Sequence, residues 1–231
     1  MESVDILPPK KIIKEIKNLT HEEFEELRNI YLSTFPLKNA KQLDGYINHI
    51  YDMLRYDNRY HLYAALEDRS MIGISLLYVF ENLKMALLDY MAITPNFQRG
   101  GIGKKLFEFT DNKFNHLIPD NIGMLLEVPK ETVSDLDERL RRKRRIRFYS
   151  KLGVKVLRGV NYLLPIQIDG DVEEMYLMIK LSKNITWIPK KSIANFINSI
   201  YSDLYEYRKS DLLDRTIDNL PDHIDIEELK I

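Results

Sequence analysis

The sequence predicts an α/β chain built on a mixed sheet with helices on both faces. Three observations point to it. Strand-like runs at residues 61–66, 71–80 and 85–93 follow one another across short turns, around Asp68-Arg69-Ser70 and Glu81-Asn82, which is the pattern of an antiparallel meander. The third run leads into a glycine-rich turn at residues 98–103 and then a helical run at 104–117. A short apolar run follows at 122–128 and reads as a buried strand. A meander that passes into βαβα gives a mixed sheet.

The remaining elements are justified in chain order. Thr20 and Glu23 form a capping-box pair ahead of Phe24, Leu27, Ile30 and Tyr31, which predicts an amphipathic helix of about 14 residues. Pro36 ends it, and a second helical stretch covers 39–54. After the 122–128 strand comes a very basic helical segment, 137–152, with Gly153 as its C-cap. Strands at 154–157 and 173–181 close the domain, giving the order α-α-β-β-β-α-β-α-β-β. The tail differs. Beyond Pro189, Ile193, Phe196, Ile197, Ile200, Tyr201 and Leu204 form one helical stripe that must be buried, against its own domain or against a second subunit in a homodimer. Residues 211–231 are acidic and hold one short helix. The expected division is a domain at 1–183 and a helical C-terminal extension at 184–231.

Composition removes several function classes. A chain of 231 residues can bury one sizeable core or two small ones. It has no cysteine, so disulfides, a zinc–thiolate site and a covalent acyl-cysteine are excluded. The five histidines (His21, His49, His61, His116, His223) have no ligand-like spacing, and no metal is expected. Net charge is −1, so no global field draws the chain to nucleic acid or an anionic membrane. No apolar run approaches the ~20 residues that span a bilayer. Residues 1–17 lack a signal-peptide core, and a cytoplasmic location is expected.

The glycine turn, Gln98-Arg99-Gly100-Gly101-Ile102-Gly103, lies between strand and helix. There, backbone N–H groups and the helix N-terminus converge on an anion. A P-loop would need glycine at 98 and Ser or Thr at 105, where Gln98 and Lys105 stand. A dinucleotide fingerprint needs G-x-G-x-x-G after the first strand of a βαβ unit, and Gly101-Ile102-Gly103 is too short. The pattern [RQ]-x-x-G-x-[GA] is met at Gln98, Gly101 and Gly103. With it go Met91-Ala92-Ile93-Thr94-Pro95 before the turn, Leu126-Glu127-Val128 on the next strand, and Phe148-Tyr149-Ser150-Lys151-Leu152-Gly153-Val154 downstream. In these four segments the chain resembles the GNAT superfamily of N-acetyltransferases, over roughly residues 17–182.

The resemblance implies the GNAT acyl-CoA acyltransferase fold with splayed central strands. It also implies acetyl-CoA as co-substrate, and transfer of acetyl to a primary amine by direct attack in a ternary complex. The pyrophosphate would rest on N–H groups of Arg99, Gly100, Gly101, Ile102, Gly103 and Lys104, with Gln98 as a further cofactor-binding residue at the head of the turn. The strand end Met91, Ala92 and Ile93 would serve the acetyl and pantetheine carbonyls. Tyr149 would protonate the leaving thiolate, since a phenol stays protonated at neutral pH. The amine must lose a proton first. Two carboxylates compete for that role. Glu127 aligns with the base of ribosomal-protein alanine acetyltransferases. Asp89 lies on the face of Met91 and Ile93, in an apolar strand where a charge needs a partner. Leu87 stands where histone-type members place a glutamate.

The run Arg139, Arg141, Arg142, Lys143, Arg144, Arg145 and Arg147 has three readings: a solvated helix face, a contact for cofactor phosphate or an acidic acceptor, and a nucleic-acid patch. No aromatic interleaving favours the last, and neither nucleic acid nor membrane is expected as a partner. Arg142 stands where the family often has Asn. The acceptor, a small molecule or a peptide or protein amine, would meet the first two helices, a loop near Tyr162 and Pro165, and the tail. A CoA-binding module without catalysis is the alternative reading. It would keep the turn and need neither Tyr149 nor a base.

Overall fold

The computed structural model describes residues 11–34, 40–168, 171–207 and 211–229. The chain forms two compact units, Met1–Leu77 with Tyr90–Asn112, and Tyr78–Asp89 with Lys113–Ile231.

In the first unit, β1 (Lys11–Ile16) pairs antiparallel with a later strand, in register from Lys11↔Glu67 to Ile16↔Leu62. The sequence gives little sign of β1, because it is an edge strand on which Ile16 alone is buried and Ile12 is exposed. Helix α1 (His21–Thr34) begins at the expected capping box, where the Thr20 N–H donates to Glu23 Oε2 at 3.1 Å and the Glu23 N–H to Thr20 Oγ1 at 3.2 Å. Helix α2 (Ala40–Tyr56) follows, tied to α1 by Arg28 and Asp44 at 2.8 Å. The expected stop at Pro36 and start at Asn39 lie outside the described residues. Next come β2 (Tyr60–Glu67), β3 (Ser70–Phe80) and β4 (Met85–Ile93). Asp68 and Arg69 turn the chain between β2 and β3 at φ 53° and 118°.

Gly73 on β3 lets the end of β4 come close. A Cβ there would collide with Ile93 Cδ1 and meet the Ala92 carbonyl at 3.0 Å. Just beyond, the Thr94 N–H donates to the Ile72 carbonyl at 2.9 Å. Helix α3 (Ile102–Leu117) is fastened to β3 by Thr110 Oγ1 donating to Ser75 Oγ at 2.9 Å, both buried. α1 reaches the end of β4 through stacked Tyr31 and Tyr90, with Thr34 Oγ1 2.6 Å from the Tyr90 hydroxyl.

In the second unit, β4 runs parallel to β5 (Gly123–Pro129), from Met85↔Gly123 to Leu88↔Leu126. Pairing stops there although both strands continue. Helix α4 (Leu136–Lys151) is capped by Asp135, which accepts from the Glu138 N–H at 2.6 Å, and the chain leaves it through Gly153 at φ +77°. β6 (Val154–Leu157) and β7 (Tyr162–Ile168) share one edge of β8 (Asp171–Leu181), whose other edge takes β5. The expected loop at Tyr162 and Pro165 is therefore a strand. Pro165 is tolerated because the β7–β8 register breaks between Leu163 and Gln167, where its missing N–H costs no ladder bond.

The tail completes this unit. β9 (Trp187–Pro189), α5 (Lys190–Ser199), a π turn (Ile200–Leu204), α6 (Asp211–Asp218) and β10 (His223–Glu227) follow in order. Strand order here is β4-β5-β8-β6-β10-β9. The extension is thus not only helical. β10 is an alternating run of five residues hidden in an acidic stretch, and Ile226↔Leu157 pairs it with β6. The expected stripe is buried: Ile193, Phe196, Ile197, Ile200 and Tyr201 are inaccessible, and Phe196 meets Phe80 edge-on at 5.1 Å. Deleting residues 185–231 should therefore uncover that core and the β6 edge together. We expect aggregation or a large fall in Tm, read by light scattering and thermal melts. An equally stable, monodisperse product would show the tail to be an appendage.

Candidate functional site

The glycine turn of the first unit is an open row of donors. A 3₁₀ turn, Pro95–Phe97, leads out of β4, and the Gln98 side chain folds back to donate to the Ile93 carbonyl at 3.0 Å. Arg99 and Gly101 then take φ 70° and 77°. This left-handed pair aims successive N–H groups to one side. Among the described residues, the N–H groups of Arg99, Gly100, Gly101, Ile102, Gly103 and Lys104 have no backbone partner, and the first helical bond across the turn is Lys105 N–H to the Gly101 carbonyl at 3.2 Å. Gln98, Arg99, Gly100, Gly101 and Lys104 are exposed. The Ile102 side chain points the other way, into a cluster with Ala65 and Ile72 against which Ile93 and Phe97 pack. The turn is anchored by apolar contacts and presents its backbone outward, with the exposed side chains of Arg99 and Lys104 on the same turn. Nothing lies within 4 Å of where a Gly101 Cβ would stand. Of the strand-end residues, Ala92 is buried and Met91 and Ile93 are half-buried.

The second unit brings the two candidate carboxylates together. Asp89 and Glu127 are the residues next after the last β4–β5 pair, Leu88↔Leu126. Glu127 as a residue is half-buried, but its Oε1 is out of contact with solvent. Its Oε2 accepts a hydrogen bond from the Tyr205 hydroxyl at 2.6 Å. The hydroxyl of Tyr162, a buried residue of β7, faces the same carboxylate, yet neither it nor Glu127 Oε1 completes a well-formed hydrogen bond. Tyr201 packs edge-on to Tyr162 at 6.1 Å and donates to the Leu163 carbonyl.

Burial pushes the Glu127 carboxyl up to about 7; the Tyr162 and Tyr205 hydroxyls act to lower it, and the Asp89 charge raises it further. The same burial, with the Glu127 charge, lifts the Tyr162 and Tyr205 phenols well above their ordinary value, so both remain donors. Tyr162, expected near the acceptor in a loop, sits instead on strand β7. Sequence reasoning misses Tyr205, which follows the end of the apolar stripe with nothing to single it out.

The Glu127 shift fixes a pH dependence of stability. Below about 4.5 the group is protonated folded and unfolded. Between there and about 7 the unfolded chain ionises first, so stability falls as pH rises, by up to ~3 kcal/mol once pH exceeds the folded value. Glu127→Gln should remove that slope. We expect it to melt higher than the parent at pH 8 and equally near pH 4.5, in thermal melts across that range. Parallel curves would contradict the assignment.

Tyr149 lies on the buried face of α4 with its ring edge-on to Phe148 at 5.2 Å. Burial raises its phenol and the Arg145 charge opposes this, so it stays protonated at neutral pH. The basic helix is two-faced. Arg142 is nearly buried and structural, meeting Glu138 at 2.8 Å, Glu173 at 2.6 Å and the Lys130 carbonyl at 2.9 Å. Arg141 and Arg144, Arg145 and Arg147 face solvent. Among the described residues no cluster of three or more metal-ligating side chains occurs, and no helix is long and apolar enough to cross a membrane.

A model of the acetyltransferase (GNAT) domain matches residues 58–156. Among solved structures, a protein of Bacteroides thetaiotaomicron assigned to the GNAT family is similar at TM-score 0.63 and 18% identity, over 86% of this chain and 99% of that one. The ribosomal-protein-S18-alanine N-acetyltransferase of Escherichia coli is similar at 0.51 and 17%, over 76% and 97%. The PaiA N-acetyltransferase of Thermoplasma acidophilum, solved with coenzyme A, is similar at 0.51 and 16%, over 74% and 99%. At these identities the likeness is one of fold. No curated protein matches the chain.

Proposed function

From a chain that belongs to the GNAT superfamily of acetyltransferases through its domain at residues 58–156, we propose an N-acetyltransferase that moves acetyl from acetyl-CoA to a primary amine by direct attack in a ternary complex. Residues 1–183 are the transferase domain in this reading, and 184–231 its extension. The observation that carries the proposal is Glu127. A carboxylate at the end of paired strand, shielded on Oε1 and held near 7, is poised to take a proton at neutral pH.

The co-substrate fits the turn. Its pyrophosphate carries the charge that a row of unpaired N–H groups at a helix N-terminus attracts, and the open space at Gly101 lets it approach the backbone. Backbone N–H groups around Met91, Ala92 and Ile93 would orient the pantetheine amides and polarise the acetyl carbonyl. Glu127 accepts a proton from the ammonium, directly or through one water, because only the free amine is nucleophilic. As the C–N bond forms and the C–S bond breaks, Tyr149 gives its phenolic proton to the thiolate, and the proton lost by the new amide nitrogen restores the phenol through solvent. Asp89 is the rival base. With no cysteine in the chain, the acetyl group has no thiol to rest on. We place the reaction in the cytoplasm.

The test is thiol release from acetyl-CoA with a panel of acceptors: alkyl amines, polyamines, aminoglycosides, and peptides with a free N-terminus or lysine. Amine-dependent release, with the acetylated product seen by mass spectrometry, supports the proposal. Tight acetyl-CoA binding with no release on any acceptor would favour a module that binds without catalysing.

A further inference from the structure

The C-terminal extension reaches into the site already described. Tyr205 lies 78 positions from Glu127 and outside the matched domain, yet its hydroxyl holds Glu127 Oε2 at 2.6 Å. The chain is shaped to put it there. After α5 the helix widens into the π turn, with Tyr205 N–H donating to the Ile200 carbonyl at 3.1 Å. Glu206 then takes φ 59° and the Tyr207 N–H returns to the Tyr201 carbonyl at 2.7 Å, so the chain reverses directly after Tyr205. Ile200, Tyr201 and Leu204 are buried beneath this turn and hold it. Single π turns of this kind recur where a helix must aim one side chain at a site.

The carboxylate is left asymmetric. Oε2 is occupied from the extension, while Oε1 is shielded and lacks a good partner beside the equally unsatisfied Tyr162 hydroxyl. Buried polar atoms without partners are rare, and a catalytic role is one of the explanations for such an atom.

We propose that Tyr205 is a positioning residue for acyl transfer: it ties down Glu127 Oε2 and leaves Oε1, next to the Tyr162 hydroxyl, as the oxygen that meets the acceptor's ammonium. The extension is then a working part of the site. This rests on the reading of Glu127 as the base. The groups around Glu127 that bear on its charge are Asp89 from β4, Tyr162 from β7, Tyr201 from the π turn, and Tyr205.

The test is Tyr205→Phe in the full chain, with Tyr207→Phe, an exposed neighbour, as control. Removing a hydrogen bond to the carboxylate favours its neutral form. The acid limb of the kcat/KM pH profile should move up by about 0.5–1 unit, with a ~3–10-fold loss near pH 7 that is recovered at pH 9. The same displacement should occur in the pH at which thermal stability falls, a readout that needs no acceptor. Tyr207→Phe should behave as the parent. An inactive Glu127→Gln combined with an unmoved limb in Tyr205→Phe would overturn the role of Tyr205. An active Glu127→Gln would overturn the base assignment and this inference with it. A Tyr205→Phe chain that loses activity equally at every pH would reduce Tyr205 to a packing residue.

Discussion

Gly101→Glu should abolish acetyl-CoA binding in a chain that still folds. The position is exposed, and a Cβ there meets nothing within 4 Å, so no packing is disturbed. Its φ of +77° adds strain of about 1–2 kcal/mol for any L side chain. The larger effect is electrostatic and steric. A carboxylate would stand where six unpaired N–H groups and the start of α3 collect phosphate charge. We expect affinity to fall by at least ~10²-fold in calorimetry, about 2.7 kcal/mol. Gly103→Glu should act in the same direction. Gly101→Ala separates the two causes, because it carries the strain without the charge and should cost far less. Unchanged affinity in a folded Gly101→Glu chain would place the pyrophosphate elsewhere.

Glu127→Gln and Tyr149→Phe should each reduce kcat by the ~10²–10⁴-fold typical of lost general base or acid catalysis, with acetyl-CoA affinity nearly intact. The two losses should differ in form. Glu127→Gln removes the group held near 7, so the acid limb of the profile should vanish as well as the rate falling. Tyr149→Phe deletes one hydroxyl from a buried helix face and should leave that limb in place. Asp89→Asn is the control for the rival base. It removes a charge that raises the Glu127 carboxyl, so it should shift the limb downward while leaving turnover within a few-fold. A silent Glu127→Gln beside an impaired Asp89→Asn would exchange the two roles. If all three variants turn over normally, the amine must arrive already deprotonated and the rate must come from positioning.

The meander, the turn and α1 were legible because each has a local cause: alternation, a glycine break, a capping pair. The capping box at Thr20 and the C-cap at Gly153 formed as their chemistry requires. β1 and β10 were not legible, because strands of only five or six residues, lying outside the long apolar runs, carry little hydrophobic signal and take their stability from the strands they pair with. The turn could be read as a binding element from its own residues. Asp89 and Glu127 could be nominated but not joined, since their meeting depends on the parallel register of β4 and β5. Tyr205 could not be found at all. Its role depends on a π turn and on packing 78 residues from its partner, and neither leaves a periodic trace. Arg142 shows the converse. Conspicuous within a basic run, it is spent on Glu138 and Glu173.

The pairing of β10 with β6 also sets an order of events during synthesis. β6 is finished at Leu157, but the strand that covers its free edge begins at His223, and the hydroxyl that steadies Glu127 arrives only with Tyr205. A ribosome-bound chain that has already made the glycine turn, the central strands and α4 still carries an unsatisfied strand edge and an untethered carboxylate. Contacts at such long sequence separation close late and slowly. The nascent protein is therefore exposed to edge-to-edge association, with Glu127 still untethered, until some seventy residues beyond β6 have emerged.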